Sequence, residues 1–361
     1  MNSQNRIKLL DSARGLAALI VVIHHIVTFN ATKLKTILPS TYFELLNWLS
    51  NKNVEAVLFF FIISGFSIGL GIYKFPLVNK DNINFYLYKR FKRILPLYWL
   101  ILCILIIILV LQPDLYNYSY STINLLGNLL FLQTPKLEGA WFIPYGNNGP
   151  LWSLSYEFFF YLIAIPVLYF RFKNTNSLSR AVIVIVVSIS ISTLMIWINH
   201  HYPNPFSMFL SLFPIWLVGT EFSIIYLQKQ FNYNLLIILL LLCLSLYVLN
   251  STFLHSDTLQ VLILGLSIAL TGYIGYFITK NKYIQMFSKP IWDILNTLFY
   301  KIGIASFSIY LSHYILLNLL NKFQIGLPSQ LAGITLLIIA CYYFETWLVK
   351  QSFNFFRRKY V

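Results

Sequence analysis

Arg14 and His25 stand eleven residues apart within LDSARGLAALIVVIHH, a stretch otherwise apolar enough to lie in a membrane. Charge and imidazole are costly in hydrocarbon, and there they mark ion paths, proton relays or catalytic groups. A helix turns about 100° per residue, so Arg14 and His25 fall within about 20° of one face. Asp11, one turn before Arg14, lies about 40° to the other side of His25, and His24 points about 80° away from Arg14. His25 sits about 16 Å along the axis from Arg14. A neutral imidazole at that depth is suited to taking a proton from a hydroxyl that must act as a nucleophile. The plain alternatives are interfacial anchoring for Asp11 and Arg14 and interhelical hydrogen bonding for His24 and His25.

Other apolar stretches carry polar groups as well. GPLWSLSYEFFFYL holds Glu157 about 10 Å inside a span that Gly149 and Pro150 open, and a carboxylate there must be unionised or paired. SFSIYLSHYILL places His313 near mid-depth, one turn from Tyr310. FFFIISGFSIGLGIY carries Ser64, Gly65, Gly69 and Gly71, which allow close helix approach. Glu221 and Glu345 fall near span ends and read as partners for basic groups. YLYKRFKRILPLYW packs Lys89, Arg90, Lys92 and Arg93 into five residues, with Pro96 expected at a helix start. If helical, it sets Arg90 and Arg93 one turn apart, and two guanidinium forks suit a polyphosphate. Anchoring beside anionic lipid explains the same cations.

The elements that position these residues follow from composition. Of 361 residues 58% are hydrophobic and 10% charged, against roughly 25% charged in soluble domains. Runs such as LYWLILCILIIILVL and LLIILLLLCLSLYVL suit helices that cross the bilayer, and their continuity excludes the alternating pattern of a β-barrel. The expected fold is an all-α polytopic bundle of about ten transmembrane helices, near 12–29, 54–72, 94–111, 151–170, 181–198, 207–226, 234–250, 259–278, 303–321 and 331–349. Residues 118–133, short and interrupted by Asn124, Gly127 and Asn128, read as an interfacial or re-entrant helix.

With the N-terminus inside, twenty of the 26 Lys and Arg fall in cytoplasmic segments and five outside, so both termini are expected in the cytoplasm. The net charge of +15 then reflects topology and calls for no nucleic-acid partner. The first span is too long for a cleaved signal core. Cys103, Cys243 and Cys341 fall in spans and read as packing residues, so neither a disulfide set nor a metal site is expected. Residues 1–361 are expected to form a single transmembrane domain with no appended soluble domain.

Taken together, these marks resemble the membrane-bound acyltransferase-3 family, whose members O-acylate sugars and other acceptors. The resemblance rests on Arg14, ten residues and His25; on Ser64-Gly65-Phe66; on Arg90 and Arg93 followed by Pro96; on Trp152 to Glu157; and on Tyr310 to His313. It implies an acyl-CoA donor, usually acetyl-CoA, entering from the cytoplasm, with no bound cofactor. It implies that His25 is essential and that Arg14, Arg90 and Arg93 serve the donor, with Lys89 and Lys92 beside them. Glu157 and His313 are carried over as groups that orient His25 or relay its proton. Asp11, His24, Ser64, Trp152, Tyr156 and Tyr310 are candidate site-lining residues, and Trp152, Tyr156 and Tyr310 are candidate oxyanion donors.

The expected protein is therefore an O-acetyltransferase of the cell inner (plasma) membrane. It would act on a surface polysaccharide such as lipopolysaccharide, its lipid-linked carbohydrate precursor, or a related acceptor, either directly or through an acyl-His25 intermediate. The competing class is a transporter or flippase for a lipid-linked sugar, which also needs mid-membrane polar groups. Release of free thiol from acetyl-CoA separates the two. A structural scaffold would have no need for Arg14 and His25 in register.

Overall fold

The structure, a computed structural model, describes residues 8–135, 140–173, 178–228, 233–278 and 282–360. Among them run twelve α-helices, and ten segments, one of them made of the second and third helices together, are long and apolar enough to cross a membrane. The chain divides into two compact units, Met1–Val57 with Thr279–Val361, and Leu58–Ile278.

The first unit holds α1 (Lys8–Ile37), α2 (Ser40–Ser50), α11 (Lys282–Lys322) and α12 (Leu327–Tyr360). Helices α1 and α11 approach until backbones touch. A Cβ at Gly15 would collide with the Phe299 carbonyl, and one at Gly303 with the Asp11 carbonyl. Such small residues let helices associate where lipid removes the hydrophobic drive between them. Val22, Ala305, Ile309, Leu317, Ile334 and Cys341 form the apolar core beside this contact. Near the end of α1 the backbone leaves helical geometry at Asn30, whose amide donates to Gln330 Oε1 of α12 at 2.7 Å. Helix α11 begins well before the expected 303–321 span.

In the second unit lie most of α3 (Asn53–Lys74) and the whole of α4 (Lys80–Leu111), α5 (Thr122–Leu129), α6 (Trp152–Phe172), α7 (Leu178–His201), α8 (Pro205–Gln228), α9 (Tyr233–Leu249) and α10 (Asp257–Ile278). Helix α8 is apolar on nearly every face and is accordingly buried all round. Gly65 of α3 packs on the Trp216 carbonyl of α8, and Gly219 of α8 on the Ile62 carbonyl of α3. The small residues of the second span thus serve close packing, although Gly71 faces open space.

Two sequence expectations change here. Residues 89–93 do not form a loop before a helix that starts at Pro96. Helix α4 starts at Lys80, where the Asn79 side chain accepts from the Asn82 N–H, and Pro96 lies inside it. The cap supplies the start signal, and a membrane bundle tolerates an internal proline. Cys103, expected to pack, is exposed, whereas Cys243 and Cys341 are buried; all three are free.

Helix α5 is eight residues long, about 12 Å by its rise, and cannot cross a bilayer. Its interrupting asparagines have a structural use. Asn124 Oδ1 accepts from the Ile143 N–H and Asn128 Oδ1 from the Tyr145 N–H, both at 3.0 Å. Asn128 Nδ2 also donates to the Ile143 carbonyl at 2.8 Å. Next along the chain, Gln133 Nε2 donates to the Leu151 carbonyl, while Ser155 Oγ donates to the Gln133 carbonyl. This stitching holds the 3₁₀ turn Gly149–Leu151 and the first turn of α6, and so sets the entry of the helix that bears Glu157.

Candidate active site

The described residues contain two buried polar centres, one in each unit. In the first, α1 presents His25 to α11, where its ring lies 5.2 Å from the His313 ring and 4.8 Å, edge-on, from that of Tyr314. His313 is fully buried. Its Nδ1 lies 2.8 Å from the Ile309 carbonyl. A carbonyl oxygen only accepts, so Nδ1 carries the hydrogen and Nε2 of the neutral ring is a bare acceptor. That Nε2 is sealed from solvent and has no hydrogen-bond partner. Among the described residues no protein group hydrogen-bonds to the His25 ring, which is only partly buried and stays accessible.

Arg14 ion-pairs with Asp11 at 3.1 Å one turn below on the stripe, and Asp11 is itself buried. His24 turns elsewhere, its Nδ1 donating to the Ser50 carbonyl at 3.0 Å, which ties α1 to the end of α2. Tyr310 lies 6.1 Å, ring to ring, from His313. Earlier on α11, Ser308 donates to Glu345 at 2.6 Å, so Glu345 takes a hydroxyl where a basic partner was expected.

The second centre surrounds Glu157 on α6. Ser64 Oγ of α3 donates to Glu157 Oε1 at 2.6 Å. The Tyr161 hydroxyl, one turn along α6, donates to the same oxygen. Trp216 Nε1 of α8 donates to Ser64 Oγ at 3.3 Å. The first turn of α6 supplies an aromatic wall, in which Trp152 lies edge-on to Tyr156 and Tyr156 is buried against Phe61 and Phe209.

Helix α4 brings its cations to this centre unequally. Helical side chains lean toward the N-terminus, so Lys89 rests on Phe85, Arg90 on Tyr86 and Lys92 on Tyr88, each four residues earlier. Phe85 and Tyr88 are exposed, so Lys89 and Lys92 lie on outer faces of the helix. Tyr86 is buried, and Arg90 also lies over the Tyr161 ring at 5.8 Å, with its Nε sealed and unpartnered. Arg93, one turn further along, is exposed.

Elsewhere in this unit, Arg171 and Glu221 form a bidentate pair at 2.7 and 3.0 Å, both about 2% exposed. That fulfils the expected pairing of Glu221 with a basic group. Among the site residues, sequence reasoning missed Tyr314, Tyr161 and Trp216. Tyr161 had a signal in its four-residue spacing from Glu157 on one helix; Trp216 had none.

Ten apolar helical segments long enough to cross a membrane, with polar centres between the helices of each unit, define a multi-pass membrane protein. A family model described as an acyltransferase domain, that of the acyltransferase-3 family, matches residues 7–348, and the chain belongs to this family. No curated protein and no solved structure matches the chain significantly.

Proposed function

We propose that this acyltransferase is an O-acetyltransferase of the inner (plasma) membrane, with both termini cytoplasmic. It moves an acetyl group from acetyl-CoA to a hydroxyl of a cell-envelope carbohydrate or its lipid-linked precursor. The observation that carries this reading is the His25–His313 pair. His25 offers an accessible ring without a protein hydrogen bond. His313, its Nδ1–H committed to Ile309, offers a bare Nε2 beside it. In the proposed reaction His25 takes the acceptor proton as the hydroxyl oxygen attacks the acyl carbonyl. As the substrates bind, the bare His313 Nε2 takes up the other His25 N–H, a hydrogen bond the two rings do not make in the structure, and so selects the tautomer that leaves the working nitrogen unprotonated. Arg90 and Arg93 bind phosphates of the donor, and Lys89 and Lys92 add positive potential near it. Arg14 serves the donor from the helix that carries His25.

Mass spectrometry of envelope glycans from cells with the gene, without it, and with His25→Ala at matched protein level tests the reading. O-acetyl groups are expected with the wild type alone. Full O-acetylation in the His25→Ala strain would remove His25 from the chemistry.

A further inference from the structure

The Glu157 centre has the parts of an activated nucleophile. Ser64 Oγ donates at 2.6 Å to a carboxylate, and that carboxylate is held by a second donor, the Tyr161 hydroxyl. Nucleophile, base and orienting group in hydrogen-bond series form the arrangement that covalent catalysis needs. Trp216 Nε1 donates to Ser64 Oγ and fixes its rotamer. Ser64 is only partly buried. Helical serines commonly spend their hydroxyl on a carbonyl one turn back, as Ser67 of the same helix does on Ile63. Ser64 instead points its hydroxyl across to another helix. Arg90, the proposed donor-binding cation, lies over the ring of Tyr161, whose hydroxyl shares the Glu157 oxygen with this serine.

We infer that Ser64 is a covalent acyl carrier, taking the acyl group of an acyl-CoA thioester before the acceptor does. This rests on the acyltransferase reading above. Ser64 Oγ bonds to the thioester carbonyl carbon and gives its proton to Glu157. The C–S bond then breaks, and the proton passes to the departing thiolate, leaving CoA thiol and a Ser64 ester. An acceptor hydroxyl next bonds to the ester carbon and the C–Oγ bond breaks. The acceptor proton goes to His25, the base proposed above, and from it to water, while Ser64 Oγ takes a proton from water through Glu157, so the enzyme is restored with no net redox change.

The test uses purified full-length protein and acetyl-CoA labelled in the acetyl group, without acceptor, followed by quench and peptide mass spectrometry. A burst of about one CoA thiol per chain is expected, with the label on the peptide that contains Ser64 as a hydroxylamine-labile ester. Ser64→Ala abolishes label and burst. Ser64→Cys keeps the label as a thioester, which shows that the site still folds. Glu157→Gln slows the burst by about 10²-fold. If the wild type acetylates envelope glycan yet Ser64 carries no label, or the label lies on His25, the inference is overturned and the acyltransferase reading stands. If the wild type releases no thiol with glycan present, that reading falls and the inference falls with it.

Discussion

The two polar centres solve the cost of burial in opposite ways. Around Glu157 the hydrogen bonds converge on the carboxylate, with Ser64 and Tyr161 donating to one oxygen and Trp216 backing the serine. Around His25 the bonds are missing. His313 has one nitrogen satisfied and one sealed without a partner, and His25 has ring contacts only. A buried polar atom without a partner costs about 1–3 kcal/mol. A saturated network rigidifies its members, whereas an unsatisfied pair remains ready to bind and move a proton. The Arg171–Glu221 pair supplies a third case, bidentate between two buried partners, with Arg171 Nη1 left sealed and unpartnered. Loss of a group should therefore read out differently at each centre.

The largest effect is expected at the ion pair, and on stability alone. Arg171→Met leaves Glu221 buried without its partner and should cost about 3–5 kcal/mol, measured as a fall in thermal stability in detergent. Arg171→Met with Glu221→Leu should recover most of it, and acyl transfer per folded molecule should stay unchanged in both. A loss of activity in the folded double variant would break the contrast with the His25 centre.

His313→Ala should act the other way, lowering acyl transfer about 10- to 10²-fold and altering its pH profile, with little loss of thermal stability. Equal losses in both would make His313 a packing residue. Next comes the helix contact that brings His25 to His313. Gly15→Leu overpacks α1 against α11, for about 1–3 kcal/mol of destabilisation, and should lower activity through the first centre while leaving labelling of Ser64 intact. The smallest effect should come from the cations. Arg90→Ala with Arg93→Ala should raise the apparent KM for acetyl-CoA about tenfold, a loss of about 1.4 kcal/mol. Lys89→Ala with Lys92→Ala should change it less, because those lysines lean on outward rings.

Much of this was legible in the sequence for physical reasons. Apolar runs of sufficient length announce spans, and each of the ten expected spans coincides with one of the long apolar helical segments, eight of them lying wholly inside it. Helical arithmetic put Asp11 and Arg14 together, and the structure pairs them. The start of α4 was misread because hydropathy reports where a helix enters hydrocarbon, not where it begins. Partners across helices were the harder part. No spacing rule links Ser64 to Trp216 or His25 to Tyr314, since those contacts depend on how helices pack. The asparagines of α5 looked like interruptions because their role, capturing the backbone at 143–145, lies outside their own helix.

Thiol release from acetyl-CoA by purified protein, with envelope glycan as acceptor and His25→Ala beside the wild type, tests the central claim most directly. The account predicts acceptor-dependent release by the wild type and a loss of about 10²–10⁴-fold in the variant. Equal release by the two proteins would contradict it.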